Sequence, residues 1–181
     1  ECTGVLHHLD NPVEGGKALA SILREGGVAH ISLYSELARH EVVRLRKLHE
    51  DRIGSVTDDE VRRFRWRLMQ DDPESINERL SLRWDFFDMN RCRDLLFHPR
   101  ERRFTLPEVG QLLDEIGLEF RGLQQPELVR NKYWIRFPRE RDLRNLARWH
   151  EFEIAHPDAF GSLYEIWALK RRQAGTGFKS P

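Results

Sequence analysis

The stretch GVLHHLDNP at residues 4–12, followed by LREGGVAHISLY at residues 23–34, decides the fold class. The apolar run at residues 3–9 predicts a short strand, and Val28–Tyr34 predicts a second one. Between them, Asn11 can cap a helix that begins at Pro12, where the missing N–H leaves no hydrogen bond unmade. A strand, a helix and a second strand predict a parallel pair covered by helices, and hence an α/β fold.

Capping signals mark the helices that follow. Ser35 can cap a helix after the second strand. Thr57 and Thr105 each stand three residues before a glutamate, which is the spacing of a capping box. Beyond Thr105 the pattern predicts a helix, a strand at Leu118–Leu123, another helix at residues 141–155 and a closing strand at Leu163–Lys170.

The predicted organisation is a sheet-containing core with a helical insertion. The core comprises residues 1–52 and 105–172, and the insertion comprises residues 53–104, which stay helical or irregular and rich in arginine, aspartate and aromatic residues. Residues 173–181 contain Gly, Lys and Ser and are expected to form a disordered tail.

Composition argues against several classes of protein. Hydrophobic residues make up only 39% of the chain, but five Trp and ten Phe supply large groups for a core, so we expect a folded protein. The 30 basic and 30 acidic residues cancel, which gives no reason to expect a nucleic-acid or membrane surface. Cys2 and Cys92 lack the spacing of a zinc site or a disulfide framework, which favours a reducing cytoplasm.

Targeting segments are not evident in the sequence. No stretch approaches the roughly 20 apolar residues that a membrane span needs, and there is no signal peptide. The chain begins at Glu1, inside the apolar segment that opens the predicted sheet, so we expect it to be a fragment of a longer protein.

The segments at residues 4–12 and 23–27, with the strand that follows them, resemble the fourth and fifth strands of class I S-adenosylmethionine-dependent methyltransferases. LYS at residues 33–35 with AR at 38–39, and CRDLLFH at 92–98 with Glu101, resemble a subgroup often fused to tetratricopeptide repeats. The resemblance implies the carboxyl-terminal half of a Rossmann-like sheet, with parallel strands and an antiparallel closing strand. It also implies methyl transfer from S-adenosylmethionine to an acceptor that the sequence does not identify.

The chain departs from the family at the cofactor site. The resemblance implies a glycine-rich turn and an acidic residue on strands that precede this segment, yet no GxGxxG or GxGxG occurs in the 181 residues. Gly4, Val5 and Leu6 are the cofactor contacts that the resemblance places here. We therefore expect the chain alone to bind the cofactor weakly or not at all.

His7 and His8 are the candidate catalytic residues. Ligands of open α/β sheets gather at the carboxyl ends of the strands, where either imidazole could remove a proton from the acceptor. The alternative is that the pair caps the strand and forms local hydrogen bonds. Neighbouring residues of a strand point to opposite faces, which argues against a metal chelate formed by both.

Four further residues are candidates for substrate binding. Tyr34 ends the second strand and Arg39 lies in the first turn of the helix that follows, where both could face a substrate from the same rim. A packed phenol and a solvated guanidinium explain them equally well. Arg93 and His98 lie in a segment dense in ionisable groups, which either forms a substrate site or anchors the insertion through a buried ion-pair network. Cys92 lacks an activating neighbour in the sequence, which argues against a nucleophilic thiol.

The sequence also allows functions other than methyl transfer. RRFRWR at residues 62–67 offers arginines and aromatics that could bind RNA, but a helix with Phe64 and Leu68 inward and arginines outward needs no partner. A non-catalytic methyltransferase-like interaction module is the alternative to an enzyme. The edge of the first strand would also be exposed in a fragment, so self-association through it is expected.

Overall fold

The computed structural model describes residues 1–48, 54–71, 84–140 and 142–172. Its strands are β1 (Val28–Tyr34), β2 (Leu118–Leu123) and β3 (Leu163–Lys170). Its α-helices are α1 (Pro12–Ser21), α2 (His40–Lys47), α3 (Asp58–Asp71), α4 (Trp84–Phe87), α5 (Met89–Phe97), α6 (Leu106–Glu115), α7 (Glu127–Arg136) and α8 (Leu146–Ala155). Short 3₁₀ helices occur at Leu6–His8 and Pro157–Phe160.

The strands form one sheet in the order β1-β3-β2. The last strand of the sequence lies in the middle and runs antiparallel to both neighbours, so β1 and β2 point in the same direction. All three strands have the predicted bounds, and the predicted antiparallel closing strand is confirmed.

One face of the β1–β3 pair forms the core. Ala29 pairs with Ala168, Ile31 with Ile166 and Leu33 with Tyr164, and all six side chains are buried. This alternation is the period-2 pattern of a strand with one apolar face. Helix α6 packs against β2, α1 and α8, and its buried leucines join the same core.

The chain divides into two compact units. The first comprises Glu1–Ala38 and Arg102–Pro181, and the second comprises Arg39–Glu101. The second unit holds helices α2 to α5 around a separate apolar cluster that includes Val42, Phe64 and Phe97. The second unit therefore begins at Arg39, before the predicted start of the insertion at residue 53, and ends at Glu101, before the predicted end at residue 104.

Several local predictions are confirmed. The side chain of Asn11 accepts hydrogen bonds from the backbone N–H groups of Val13 and Glu14 at the start of α1. Thr105 forms a complete capping box with Glu108 at the start of α6. Thr57 and Glu60 make the same reciprocal bonds before α3.

The predicted strand at residues 3–9 is wrong. Leu6–His8 is a 3₁₀ helix, and Gly4 has a positive φ of 71°, which turns the chain out of an extended path. A single parallel bridge joins Cys2 to Ile31, through Cys2 N–H to the His30 carbonyl (2.8 Å) and Ser32 N–H to the Cys2 carbonyl (3.1 Å). Within the described residues, the predicted parallel pair is reduced to this bridge.

Two helices have other bounds than the sequence predicts. The helix predicted at residues 141–155 begins at Leu146, because Asn145 caps it by accepting a hydrogen bond from Arg148 N–H. Helix α1 ends at Ser21, whereas the glycine pair at Gly26 and Gly27 predicts a later end. Helix α7 was not predicted. Arg141 and the predicted disordered tail at 173–181 lie outside the described residues.

Candidate functional site

The carboxyl end of β1 is held in place by three backbone hydrogen bonds to two neighbouring segments. Phe104 N–H donates to the Tyr34 carbonyl (2.8 Å), and Glu36 N–H donates to the Phe104 carbonyl (2.9 Å). Ser35 N–H donates to the Ser162 carbonyl (2.9 Å). These bonds fix the end of the strand and therefore the backbone position of Tyr34, its last residue.

His7, His8 and Tyr34 form a cluster of rings at this end of the strand. His7 is buried and stacks on Tyr34, with ring centroids 3.7 Å apart and an angle of 27° between the planes. His8 lies edge-on to both rings, 4.4 Å from His7 and 5.6 Å from Tyr34. The structure thus brings both candidate catalytic residues together with one candidate substrate residue.

The two histidines differ in accessibility. His7 is held by its stacking on Tyr34 and by its backbone carbonyl, which accepts a hydrogen bond from Arg102 N–H (2.9 Å). His8 is half-buried, so its imidazole retains contact with solvent. Of the pair, His8 is therefore the side chain that an incoming molecule reaches more easily.

A buried carboxylate lies behind Ser35. Ser35 Oγ donates to Glu153 Oε1 (2.6 Å), and the Tyr164 hydroxyl lies 2.8 and 2.7 Å from the two carboxylate oxygens. Ser35 Oγ also accepts from Ala38 N–H (2.9 Å), so the predicted capping role of this residue is realised as a turn. Burial raises the pKa of Glu153 above its ordinary value, against the opposing effect of the two hydroxyl donors.

Sequence reasoning missed this network. Ser35 lies 118 residues from Glu153, whereas Glu153 and Tyr164 are only 11 residues apart. The register that pairs Leu33 with Tyr164 brings the tyrosine to the end of β1. The one available signal was Glu153 itself, an acidic residue flanked by Phe152 and Ile154 in a helix.

In the helical unit, Arg39 is buried rather than solvated. Its guanidinium donates twice to Glu101, from Nε to Oε1 (3.1 Å) and from NH2 to Oε2 (2.7 Å). Arg46 lies 3.6 Å from the same carboxylate and donates to the His98 carbonyl (2.6 Å). These contacts support the alternative of a buried ion-pair network and correct the expectation that Arg39 is exposed to solvent.

A cavity of about 400 Å³ occurs in the same unit. Arg93, Asp94 and His98 line it, together with Asn90 and Ser55. Arg93 also forms an ion pair with Asp58, which orients its guanidinium. Two of the predicted substrate residues thus share one concave surface.

The remaining candidate residues lie outside the ring cluster and outside the lining of the cavity. Gly4 and Val5 are exposed and Leu6 is buried in the core. Cys92 is buried, and burial raises the pKa of its thiol to about 11, so it is an inert core residue. In α3, Phe64 and Leu68 are buried while Trp66 is exposed, as the amphipathic interpretation predicts.

No family model matches the chain. Comparison with known proteins does give matches by sequence and by structure. An uncharacterised protein of Synechococcus is 28% identical over 170 residues, which cover 87% of this chain and 40% of that protein. The structure of the methyltransferase PKMT2 from Rickettsia typhi superimposes with a TM-score of 0.60 and 12% identity, covering 94% of this chain and 36% of PKMT2.

PKMT2 in complex with AdoHcy gives a TM-score of 0.61 at 11% identity, with the same coverage. The fold is methyltransferase-like. At this identity the likeness concerns the fold alone, and the chain spans well under half the length of both relatives. In the described part of the chain, no helix has the length and apolar character to cross a bilayer.

Proposed function

We propose that this chain is the substrate-side part of an S-adenosylmethionine-dependent methyltransferase. The observation that carries the proposal is the ring cluster of His7, His8 and Tyr34 at the carboxyl end of β1. The β1-β3-β2 sheet order and the likeness to a PKMT2 structure that contains AdoHcy add support. A fusion to tetratricopeptide repeats, self-association through an exposed sheet edge and a cytoplasmic location stay predictions.

The cofactor would lie along the backbone that precedes the histidines. The position that a Cβ would occupy on Gly4 has no atom within 4 Å, so the backbone there is open to a ligand. Gly4, Val5 and Leu6 could line one edge of the adenosyl group. Because the glycine-rich turn is absent from the 181 residues, most of the binding energy would come from another segment.

The chemistry that the cofactor supplies is an electrophilic sulfonium methyl group. Gly4, Val5 and Leu6 would hold the cofactor, which would supply the methyl group and retain on its sulfur the electron pair of the broken carbon–sulfur bond. His8 accepts the proton when the acceptor must lose one, and His7 positions Tyr34 and His8 through stacking. Alignment of the reacting groups contributes most of the rate.

Arg93 and His98 would contribute to recognition of the acceptor through the cavity that they line. Their guanidinium and imidazole groups suit a carbonyl or carboxylate of the acceptor. Arg39 is committed to Glu101, so we assign it to anchoring of the helical unit. Arg93→Gln is expected to raise KM for the acceptor and leave kcat unchanged.

Calorimetric titration with AdoHcy tests the cofactor proposal. The chain alone is expected to give little heat, whereas a protein extended at the amino terminus to include a glycine-rich segment is expected to bind. Micromolar binding by the chain alone would contradict the dependence on another segment. Failure of the extended protein to bind would contradict the methyltransferase proposal.

Transfer of labelled methyl groups to a panel of acceptors, by the protein extended at the amino terminus, tests the role of His8. His8→Gln is expected to lower kcat by about 10²- to 10⁴-fold for amine and hydroxyl acceptors, which lose a proton. Carboxylate acceptors need no base and should be unaffected. His156→Gln, which changes an exposed histidine of the same unit, is the matched control.

A non-catalytic interaction module is the second candidate function. The burial of His7 and the absence of a glycine-rich turn in this chain favour it. It predicts that the extended protein binds neither S-adenosylmethionine nor AdoHcy, so the titration above also decides between the two functions.

A further inference from the structure

A second cavity occurs in the sheet-containing unit, near the end of α7 and the start of α8. Its volume is about 650 Å³, which is within the range of small-molecule sites. The residues that line it are Arg136, Phe137, Pro138, Arg139, Glu140, Arg148 and Glu151. None of them belongs to the ring cluster of His7, His8 and Tyr34.

The lining carries an excess of positive charge. Three arginines face two glutamates, and Glu151 is shared by Arg148 (2.7 Å) and Arg136 (3.5 Å). Glu140 accepts a hydrogen bond from Asn145 Nδ2 (3.2 Å). Arg139 is exposed and makes no hydrogen bond or ion pair with any residue in the described ranges. One guanidinium is therefore available to a ligand.

The arginines are also held against an aromatic ring. The guanidinium carbons of Arg148 and Arg136 lie 5.3 and 5.7 Å from the ring centroid of Phe137. This cation–π contact and the shared Glu151 restrict both side chains before any ligand binds. A pre-organised guanidinium loses less freedom on binding than a free one.

A buried tyrosine supports the aromatic side of the cavity. Tyr133 is 1% exposed, and its ring centroid lies 4.0 Å from that of Trp149 and 5.1 Å from that of Phe137. This packing restricts Phe137, which lines the cavity.

We propose that this cavity binds a small organic anion through a carboxylate or phosphate group, with Arg139 as the ionic contact. A planar guanidinium matches the geometry of both anions and can donate two parallel hydrogen bonds. Phe137 supplies an apolar wall for the rest of the ligand. The site goes beyond the proposed methyl transfer and does not depend on it.

Calorimetric titration with benzoate, phenyl phosphate and neutral benzyl alcohol tests the proposal. Benzoate and phenyl phosphate distinguish a carboxylate from a phosphate ligand, and benzyl alcohol reports the apolar contribution alone. At least one anion is expected to bind at least about tenfold more tightly than the alcohol, since hydrogen bonds to charged groups are the stronger ones. Equal binding of all three, or binding of none, would overturn the proposal.

Three variants locate the contacts. Arg139→Gln is expected to weaken anion binding about tenfold or more, whereas Tyr133→Phe, which keeps the ring that packs on Phe137, is expected to leave binding unchanged. Arg130→Gln is the matched control, because Arg130 is an exposed arginine on α7 that does not line the cavity. If Arg139→Gln has no larger effect than Arg130→Gln in folded protein, the anion does not bind at this cavity.

Discussion

The buried ion pair of the helical unit leads to a strong prediction about stability. Glu101 and Arg39 have side chains that are each only 2% exposed, and the side chain of Arg46 is 10% exposed. Glu101→Gln removes the charge that both guanidinium groups face and turns an amide N–H₂ toward them. The arginines remain buried, so the cost is that of uncompensated charge rather than of one lost contact.

The magnitude follows from this geometry. Breaking a buried pair by removing one partner costs about 3–5 kcal/mol, and we expect the lower end, about 3 kcal/mol, because glutamine keeps one acceptor oxygen. Domains are stable by only about 5–15 kcal/mol, so the variant loses a large part of its stability. With a urea m-value of about 2 kcal/mol/M, the unfolding midpoint falls by about 1.5 M.

Urea unfolding followed by circular dichroism measures the effect. Glu41→Gln is the matched control in the same unit, since Glu41 pairs with Arg44 at 2.9 Å and both side chains are more than a quarter exposed. It is expected to cost about 0.3–0.5 kcal/mol. The reasoning is refuted if the two variants shift the midpoint equally.

A second variant separates charge from packing. Replacing Arg39 by Met and Glu101 by Leu together removes the pair and leaves an apolar contact of similar volume, so that only Arg46, which keeps its hydrogen bond to the His98 carbonyl, loses the carboxylate. Buried ion pairs replaced in this way are often neutral or stabilising, so the double variant should be more stable than Glu101→Gln. If it is less stable, the effect of Glu101→Gln reflects packing.

Three other predictions concern separate parts of the chain. Burial raises the pKa of Glu153, so its stabilisation relative to Glu153→Gln is fully present below the ordinary glutamate pKa of about 4.3 and is lost as pH rises through the raised value. Urea midpoints across that range check this, and a difference that grows with pH would contradict it. Thr105→Ala removes the capping box with Glu108 and should cost about 1 kcal/mol in the same assay, whereas an unchanged midpoint would show that the cap contributes nothing. Burial raises the pKa of the Cys92 thiol to about 11, so it should react with a disulfide reagent much more slowly than the half-buried Cys2, and equal rates would refute this.

The sheet was predictable from sequence because each strand is short, apolar and bounded by turn residues. β1, β2 and β3 begin and end where the pattern places them. The strand predicted at residues 3–9 rested on the same pattern, a short apolar run, and is wrong. A short apolar run does not distinguish a strand from a buried turn, and the left-handed conformation of Gly4 decides in favour of the turn.

Helix α7 was missed because its pattern is not amphipathic in the usual way. Leu128 and Ile135 are exposed and Tyr133 is its one buried residue, so the helix shows no apolar stripe. Its position is set by the contact of Tyr133 with Trp149, which lies 16 positions further along the chain. Tertiary packing of this kind leaves no local signal in the sequence.

The geometry of the candidate site likewise depends on residues that are distant in the sequence. The sequence placed His7, His8 and Tyr34 near one another, but nothing in it joined Tyr34 to Glu153. In the structure, Glu153 holds Ser35, which directly follows Tyr34, the last residue of β1. Because His7 stacks on Tyr34, the position of the imidazoles rests on a carboxylate contributed by α8. A change at Glu153 should therefore alter the ring cluster as well as the stability of the core.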